Sequence, residues 1–200
     1  MTWPFSLTDE QAMWRVRHED DHAAFAGLVE RWETPIQRLC ARMTGDLHRA
    51  EDLAQEAFAR VFAKRHAYEP SGKFSTWLWR IALNLCHDDI RRRQRRPEWS
   101  LEETADGEGE VSHAAELIGE APSPAEAVAA LEQAEIVRRA LLQLPEIYRT
   151  VIVLRHYEGL KFGEIAEVLG IPDGTVKSRM SEGLSRLAGL LQEWRKAENP

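Results

Sequence analysis

Apolar residues recur at three- and four-residue steps through the first 96 residues, which is the spacing of helices with one buried face. The pattern predicts four helices, over residues 9–17, 21–44, 48–66 and 74–96. Ser6 or Thr8 can cap the first helix, and Gly45 follows the second. Ser75 or Thr76 can cap the fourth. These residues therefore predict a compact all-α domain.

The helix predicted over residues 74–96 differs from the others at its far end. Its buried stripe is expected to contain Phe74, Trp77, Leu78, Ile81, Leu85 and Ile90. Trp79 falls off this stripe beside Arg80, and five arginines lie between residues 91 and 96. Such a helix is typical of proteins that hold a polyanion with bases. An ordinary core helix with a solvated end has the same pattern, so the alternative stays open.

The helical pattern ends at Pro97 and gives way to a segment rich in Glu, Gly and Pro. Residues 97–137 hold 11 Asp or Glu and no Lys or Arg, whereas residues 1–96 and 138–200 each carry a net charge of +2. Low hydrophobicity with high charge predicts a flexible acidic linker over about 97–125. The total charge of −7 therefore does not exclude nucleic-acid binding, because both flanks can present basic faces.

Helical periodicity returns after the linker. Ser123, Pro124 and Glu126 suit the cap, first and third positions of a helix that ends near Leu142. Pro145 breaks the pattern, and a further helix is predicted over 146–156. The chain is thus predicted to form two small helical domains joined by the linker.

Residues 160–187 predict a helix-turn-helix. Ile165, Val168 and Leu169 form the inner face of its first helix, and Gly170 can adopt the left-handed turn conformation. Asp173 or Thr175 can cap the second helix, which is expected to be held by Val176, Met180, Leu184 and Leu187. Its outer N-terminal half, the part that enters a major groove, then carries Thr175, Lys177, Ser178, Arg179, Ser181 and Glu182. The alternative is an ordinary helical hairpin.

Composition favours a soluble cytoplasmic protein that needs no cofactor. With 44% hydrophobic residues the chain can bury cores of its own, but its apolar runs fall far short of the roughly 18 residues that span a bilayer. The N-terminus lacks the basic and apolar regions of a signal peptide. Two cysteines, Cys40 and Cys86, are too few for a disulfide framework. We expect no membrane insertion.

An enzyme would have to rely on the run Cys86-His87-Asp88-Asp89. Consecutive residues of a helix point about 100° apart, so these side chains cannot converge on one catalytic or metal site. His113 and His156 have no evident ligand partners in the sequence. We therefore expect no catalytic residues and no metal site, which leaves the binding functions.

Three stretches of sequence identify a family. They are residues 50–62 (AEDLAQEAFARVF), 74–93 (FSTWLWRIALNLCHDDIRRR) and 160–180 (LKFGEIAEVLGIPDGTVKSRM). In this order and spacing they resemble the bacterial RNA polymerase sigma factors of the extracytoplasmic-function (ECF, group 4) type, within the sigma-70 family. The resemblance covers nearly the whole chain. It implies sigma region 2 over residues 1–96 and region 4 over 126–195, on either side of the linker at 97–125.

For region 2 the resemblance implies two binding roles. Asp52, Gln55 and Glu56 match the polar face that docks on the β′ clamp helices of core polymerase. Residues 66–73 match the loop that holds a flipped base of the −10 element, and the next helix matches the part that reads and separates that element. The implied −10 contacts are Lys73, Trp77, Trp79, Arg80, Asn84, Arg91, Arg92 and Arg93. Core packing also suits Trp77, a local polar contact also suits Asn84, and the arginines should contact phosphates.

Region 4 is implied to read the −35 element of the promoter. The implied contacts are Thr175, Lys177, Ser178, Arg179 and Glu182. Glu182 departs from the family, in which many relatives carry a basic residue at this turn; it would repel phosphate, or accept a hydrogen bond from a cytosine amino group. The implied partners are core RNA polymerase (β′ clamp helices and β flap), promoter DNA as duplex and as non-template single strand, and an anti-sigma factor.

The sequence therefore predicts a sigma factor that binds core RNA polymerase and directs promoter-specific transcription initiation through −10 and −35 recognition. The alternative is a stand-alone helix-turn-helix transcriptional regulator that does not bind core polymerase. That alternative explains residues 123–195 but leaves Gln55, Glu56 and the Trp/Arg helix without a role. The acidic linker is expected to let the two domains close around an anti-sigma partner, or to repel stray DNA.

Overall fold

The computed structural model describes residues 7–69, 72–95 and 124–198. In the last of these ranges, side chains are described for residues 130–194. Every regular element in these ranges is helical, which confirms the predicted all-α class. Helices α1 to α8 span Asp9–Glu19, His22–Thr44, Leu47–Ala63, Phe74–Arg95, Pro124–Gln143, Glu146–Ile152, Phe162–Leu169 and Asp173–Glu198. A 3₁₀ turn (Arg65–Ala67) follows α3, and a π-helical turn (Val153–Tyr157) continues α6. The predicted cap Ser123 and the linker up to that residue lie outside the described residues.

Local capping decides where the first three helices begin. Thr8 caps α1 through a capping box, in which Thr8 and Gln11 each accept from the other's backbone N–H. Asp21 accepts from two N–H groups at the start of α2, and Asp46 accepts from one at the start of α3. Gly45 ends α2 at φ 79°, the left-handed conformation that glycine adopts without strain. The predicted cap Thr8 and the predicted stop at Gly45 are both confirmed.

The start of α4 is not the one that the local sequence predicts. The helix begins at Phe74, so Ser75 and Thr76 lie inside its first turn and do not cap it. The Phe74 N–H instead donates to the carboxylate of Glu10 on α1, across 3.4 Å. An acceptor from a distant helix therefore replaces the local cap.

Helices α1–α4 form an N-terminal unit around an apolar core. Its largest fully buried side chains include Met13, Val16, Leu28, Ile36, Leu39, Met43, Tyr68, Phe74, Leu78 and Leu83. Because α4 packs against α1, α2 and α3 at once, it buries a wider arc than one stripe. Trp79 is 5% exposed and lies edge-on to Trp32, so its predicted position off the buried face is wrong. Trp77, predicted within the stripe, is half-buried.

Helices α5–α8 form a C-terminal unit that contains the predicted helix-turn-helix in α7 and α8. Ile165 and Val168 are buried on the inner face of α7, as predicted. Gly170 ends α7 at φ 65°, which confirms the left-handed turn. Helix α8 begins at Asp173, so Asp173 and Thr175 lie within the helix and neither precedes it as a cap.

The packing of α8 differs from the prediction at one position. Val176 and Met180 are buried as expected, but Leu184 is 41% exposed. Gly183 faces α6 instead, where a Cβ atom would lie 3.1 Å from Ile152 Cδ1. The absence of a side chain at Gly183 therefore lets α6 and α8 approach closely, and the buried row continues one residue earlier than the sequence indicates.

The two units lie against each other. Helix α7 of the C-terminal unit contacts α4, while α5, α6 and the π-helical turn contact α2. The helix-turn-helix therefore covers part of the helix that carries the −10 candidates. Within the described residues, no helix has the length and apolar character needed to cross a bilayer.

Candidate polymerase and DNA interfaces

The outer face of α3 is a row of polar side chains. Asp52, Gln55 and Glu56 are exposed, with 68% of the Asp52 side chain and 50% of the Glu56 side chain accessible. Two arginines of the same helix contact them: Arg49 lies 3.3 Å from Asp52, and Arg60 lies 2.9 Å from Glu56. The three predicted docking residues thus lie together on the solvent side, and their contact with polymerase stays a prediction.

Lys73 and Arg80, two −10 candidates, are bonded to α7 of the C-terminal unit. Lys73 Nζ lies 2.9 Å from Glu164 Oε1. The Arg80 guanidinium donates to the carbonyl oxygens of Glu167 at 2.5 Å and Val168 at 3.2 Å, in the last turn of α7. The partial negative charge at a helix C-terminus stabilises a cation placed there. These partners lie 87 to 91 residues from the cations in sequence, so no local pattern shows them.

The ion pair joins Lys73, which directly precedes α4, to Glu164 of α7. The hydrogen bond from Lys73 lowers the pKa of Glu164, and the same bond raises the pKa of Lys73. Glu164 Oε2 also accepts from the Lys161 backbone N–H at 2.9 Å, at the start of α7. The carboxylate is therefore fixed by its own helix as well as by Lys73.

The aromatic candidates of α4 have different surroundings. Trp77 is half-buried, with its ring centroid 5.3 Å from that of Tyr68. Tyr68 is buried, donates to the Gly72 carbonyl at 2.7 Å, and has its pKa raised to about 12, chiefly by burial. The Trp79 ring is buried in the core and offers no face to a base in this conformation. Asn84 is exposed on the same helix.

The arginines at the end of α4 fall into two groups. Arg91 and Arg92 are exposed, and Arg91 lies 3.7 Å from Glu146 of α6. Arg93 is exposed as well, with 47% of its side chain accessible, but it donates a hydrogen bond to Asp46 at 2.9 Å and forms an ion pair with Asp89 at 3.2 Å. Arg93 therefore has a structural role within the N-terminal unit that the run of arginines does not reveal.

The Cys86-His87-Asp88-Asp89 run diverges, as helical geometry predicts. Asp88 is exposed, whereas Asp89 is 3% exposed. Cys86 is buried beside Cys40, and this hydrogen-bonding contact together with burial raises the pKa of the Cys86 thiol. Within the described residues, no group of three or more His, Cys, Asp or Glu is placed to hold a metal ion.

His87 lies at the contact between the two units. Its ring nitrogens are 3.2 Å from Thr150 Oγ1 and 3.3 Å from a carboxylate oxygen of Glu146, both on α6. Burial lowers the pKa of His87, and the nearby Glu146 offsets this only in part. The neutral imidazole is therefore the form that this contact favours.

The candidate recognition residues lie in the first half of α8. Lys177 and Ser178 are exposed, while Thr175 and Arg179 are half-buried. Lys177 Nζ lies 2.6 Å from Asp173, and Ser178 Oγ donates to the Thr175 carbonyl at 3.0 Å. The helix thus presents a short polar row on its outer side, as the sequence predicts.

Glu182, which departs from the family, is not isolated on α8. Its carboxylate lies 2.7 Å from Arg186 Nε, one turn further along, and both side chains are 49% exposed. The Arg186 guanidinium also lies 5.0 Å from the centre of the Tyr148 ring. The negative charge at Glu182 is therefore partly balanced within its own helix.

Arg149 is a buried residue that the sequence analysis did not single out. It is 8% exposed, and its guanidinium donates to the carbonyl oxygen of Met43 in the last turn of α2. It also donates to the carbonyls of Leu142 at 2.6 Å and Leu144 at 3.0 Å. One guanidinium thus joins the C-terminus of α2 to the α5–α6 corner of the other unit. Its position in an amphipathic helix resembles that of any exposed arginine, so the sequence carries no signal for this role.

Two further contacts join the same two units. The Leu142 side chain packs against Gly45, within 2.6 Å of where a Cβ atom would stand. Arg42 of α2 lies 3.1 Å from Glu158, whose side chain is 7% exposed. Apolar and charged groups therefore both hold the C-terminal unit on α2.

The first unit has four helices, of which the last is basic and aromatic, and the second unit contains a helix-turn-helix. This arrangement defines a two-unit DNA-binding protein. Two family models match the chain: Sigma-70 region 2 over residues 28–96, and Sigma-70, region 4 over residues 134–187. The first match ends with α4, and the second includes the helix-turn-helix.

Relatives match along most of their length. The chain is 39% identical to the ECF RNA polymerase sigma factor SigW of Bacillus subtilis, over 86% of this chain and 91% of that protein. It is 36% identical to the RNA polymerase sigma-H factor of Pseudomonas aeruginosa, over 92% of this chain and 94% of that protein. It is 34% identical to the ECF RNA polymerase sigma-E factor of Escherichia coli, over 87% of this chain and 89% of that protein. The chain belongs to the ECF sigma factors of the sigma-70 family.

Solved structures share the two-unit fold. CnrH, in complex with the cytosolic domain of CnrY, superposes with a TM-score of 0.67 at 23% identity, over 92% of this chain and 97% of that one. The sigma factor RpoE of Bartonella quintana, in complex with the anti-sigma factor NepR, superposes with a TM-score of 0.64 at 22% identity. The match covers 84% of this chain and 96% of that one. Both likenesses concern the fold.

Proposed function

We propose that this chain binds core RNA polymerase and directs promoter-specific initiation, with residues 1–96 acting on the −10 element and residues 126–195 on the −35 element. The observation that carries the proposal is the presence of both sigma regions in one chain, with ECF sigma relatives aligned over both. A stand-alone regulator needs only the helix-turn-helix and leaves the region 2 match unexplained. The function requires no catalytic group, and its place is the cytoplasm, where polymerase meets the chromosome.

In the proposed role, α4 and the turn before it hold the non-template strand of the −10 element. Exposed arginines such as Arg92 neutralise phosphates without reading sequence. The accessible part of Trp77 stacks on a base, which is worth about 1–3 kcal/mol, and Asn84 contacts a base edge. Strand separation then follows because the protein binds the open strand more tightly than the duplex.

The −35 role belongs to α8. Its exposed Lys177 and Ser178 and its half-buried Arg179 lie at the end of the helix that enters a major groove. An arginine or lysine on guanine supplies about 1–3 kcal/mol of discrimination against the wrong base. Region 4 also meets the β flap of polymerase in this proposal.

An anti-sigma factor is the expected negative regulator of this chain. The RpoE structure holds the anti-sigma factor NepR, and we extend this kind of partner to the present protein as part of the proposal. Such a partner has to cover region 2, region 4 or both in order to block polymerase or promoter.

The first test measures binding to sigma-free core RNA polymerase. We expect the wild-type chain to form a stable complex and the double variant Gln55→Ala, Glu56→Ala to bind at least about tenfold more weakly, which is the loss typical of central interface residues. The matched control is Gln192→Ala, Glu193→Ala, which removes the same two side-chain types from adjacent exposed positions of α8. Circular dichroism checks that both variants fold.

One outcome contradicts the proposed function, and another contradicts only the proposed docking face. If the wild-type chain does not bind core polymerase, the sigma function is wrong. If both double variants weaken binding equally, the function stands but the docking face is not on α3.

A further inference from the structure

Helix α1 bonds both ends of the turn that joins α3 to α4. The structure describes residues 64–69 and 72–73 of this turn. In its first half, the Tyr68 carbonyl oxygen accepts from Arg17 Nη1 at 2.5 Å. At its far end, where α4 begins, the Phe74 N–H donates to the Glu10 carboxylate at 3.4 Å. Glu10 and Arg17 lie about two helical turns apart on α1, so one side of this helix holds the backbone at two points.

A third contact joins the end of α1 to the start of the turn. Asp20 follows α1 at φ 50°, in the left-handed region that residues with a Cβ atom rarely adopt. Its carboxylate lies 2.7 Å from Arg65 Nε. Because the Asp20 side chain is 61% exposed, this pair adds little to stability, and its main effect is to fix where Arg65 lies.

Tyr68 links the backbone held by α1 to the proposed DNA contacts. Its hydroxyl donates to the Gly72 carbonyl at 2.7 Å, and its ring centroid lies 5.3 Å from that of Trp77. Tyr68 is 2% exposed, and burial, followed by the charges of Glu10 and Asp9, raises its pKa to about 12. The buried phenol therefore remains a hydrogen-bond donor. Its position fixes both the exposed Gly72 and a residue proposed to stack on a base.

The core does not account for these bonds of α1. The inner face of the helix packs in the core through Ala12, Met13 and Val16. Arg17 and Glu10 lie beside that face and reach the turn instead. The Sigma-70 region 2 match begins at residue 28, within α2, so α1 also lies outside the part of the chain that the family model describes.

We infer that α1 positions the α3–α4 turn for the base that the turn contacts, with Arg17 and Glu10 as the positioning residues. The inference rests on the proposed function, in which the turn before α4 holds the −10 strand. A turn already held in its binding geometry loses less conformational entropy when the strand arrives. It also offers the base one arrangement of contacts, so a shift of its backbone weakens discrimination at that base. The phosphate contacts at the end of α4 carry no such information and are unaffected.

The test measures base preference and the order of the turn in the same full-length variants. Base preference is measured on polymerase-bound protein, by selection from single-stranded 20-mers of randomised sequence. The order of the turn is measured on the free chain, by NMR hydrogen exchange of the Ala67, Tyr68 and Gly72 amides, which donate within the turn. Thermal unfolding checks that each variant folds.

Two variants release the turn at different points. Arg17→Ala removes the bond to the Tyr68 carbonyl, and we expect the preference at one position of the strand to fall about three- to tenfold, the equivalent of one hydrogen bond. Glu10→Ala removes the longer bond to Phe74 and should lower the preference at the same position by about two- to fivefold. The turn amides should exchange faster in both. Arg17→Lys keeps a donor for the carbonyl and should restore preference and exchange.

The matched controls come from exposed positions of the same helix. Arg15→Ala removes the same charge as Arg17→Ala, and Glu19→Ala removes the same charge as Glu10→Ala. Neither should change the base preference or the exchange of the turn amides. If Arg17→Ala does not fold, Glu10→Ala decides.

The inference is overturned if neither variant lowers the preference at a single position, or if both weaken binding equally at every position, as a purely structural role would. It is also overturned if the turn amides exchange as in wild type, because the variants then act by another route. Failure of the proposed function is seen in the wild-type chain itself. A wild-type selection without preference at any position contradicts the −10 role, and the inference with it.

Discussion

Arg49 of α3 holds the buried carboxylate of Asp89 on α4 with two nitrogens, at 2.9 Å and 2.7 Å. Arg93 lies 3.2 Å from the other oxygen of the same carboxylate. The Asp89 side chain is 4% exposed, and a buried carboxylate needs such partners to offset the cost of its burial. Arg49 also contacts Asp52, which links the buried carboxylate to the proposed docking face.

The first prediction concerns this carboxylate. Asp89→Asn removes the charge that Arg49 and Arg93 share, and we expect the free energy of unfolding to fall by about 2–4 kcal/mol. Urea unfolding followed by circular dichroism measures the change. Asp88→Asn, at the exposed neighbouring position, is the matched control and should change stability by less than about 0.5 kcal/mol. Equal effects of the two variants would show that the buried network does not stabilise the unit.

The second prediction separates two neighbouring arginines. Both side chains are exposed, but Arg93 alone of the two pairs with Asp46 and Asp89, so Arg92→Ala should leave stability within about 0.5 kcal/mol. It should also lower the slope of log affinity against log salt by about 0.7 for single-stranded DNA, since one phosphate contact is lost. Arg93→Ala should instead destabilise the fold by about 1–2 kcal/mol, because Asp89 keeps one arginine instead of two. Salt titrations of polymerase-bound protein and urea unfolding give the two readouts. A change of salt slope in Arg93→Ala larger than in Arg92→Ala would contradict this division.

The local features of the fold were predictable from sequence because they depend on neighbours in the chain. The left-handed stops at Gly45 and Gly170 and the cap at Thr8 involve residues within about five positions. The helices themselves follow from apolar spacing, since a single buried face is enough to define them. The prediction is weaker where a helix packs against several others, and Trp79 and Leu184 were placed on the wrong side for that reason.

The contact between the two units was not predictable in the same way. Arg149 and Met43 are 106 positions apart, and Arg80 and Val168 are 88 apart. An arginine on a helix has the same appearance in sequence whether it faces water, phosphate or a carbonyl group. The sequence therefore indicated which residues are cationic and outward, and the fold shows that several of them bond the other unit.

The third prediction is a pH dependence of closure, by which we mean the packing of the C-terminal unit on α2 and α4 of the N-terminal unit. His87 is 19% exposed and faces Glu146, Arg91, Asp88 and Arg149. Burial holds its pKa below the ordinary value of 6.5 in the closed arrangement, so the open form binds a proton more readily. Closure is therefore favoured above pH 6.5 and weakens as the pH falls through the lowered pKa. Energy transfer between dyes on Glu51→Cys of α3 and Gln192→Cys of α8, both exposed positions, should drop from pH 7.5 to pH 5.5.

The variants for this pH dependence are chosen for matched chemistry. His87→Gln keeps a hydrogen-bonding side chain near Thr150 but does not titrate, so it should flatten the change in energy transfer. His48→Gln, on the exposed face of α3, should leave the change as it is in wild type. A pH response that survives in His87→Gln would assign the titration to another group.

The last prediction concerns Glu182 and what it does at duplex DNA. Its carboxylate lies 2.7 Å from Arg186 Nε. We therefore expect Glu182 to reduce the positive charge of α8 and not to contact a base. Glu182→Gln should therefore strengthen binding to duplexes of any sequence, by about 0.2–1 kcal/mol for one exposed charge. Selection from a randomised duplex pool by the polymerase-bound protein measures affinity and sequence preference together. Glu193→Gln, further along α8, controls for the change in net charge. If Glu182→Gln instead loses preference for cytosine at one position of the site, the carboxylate reads a base, because only a specific contact depends on which base is present.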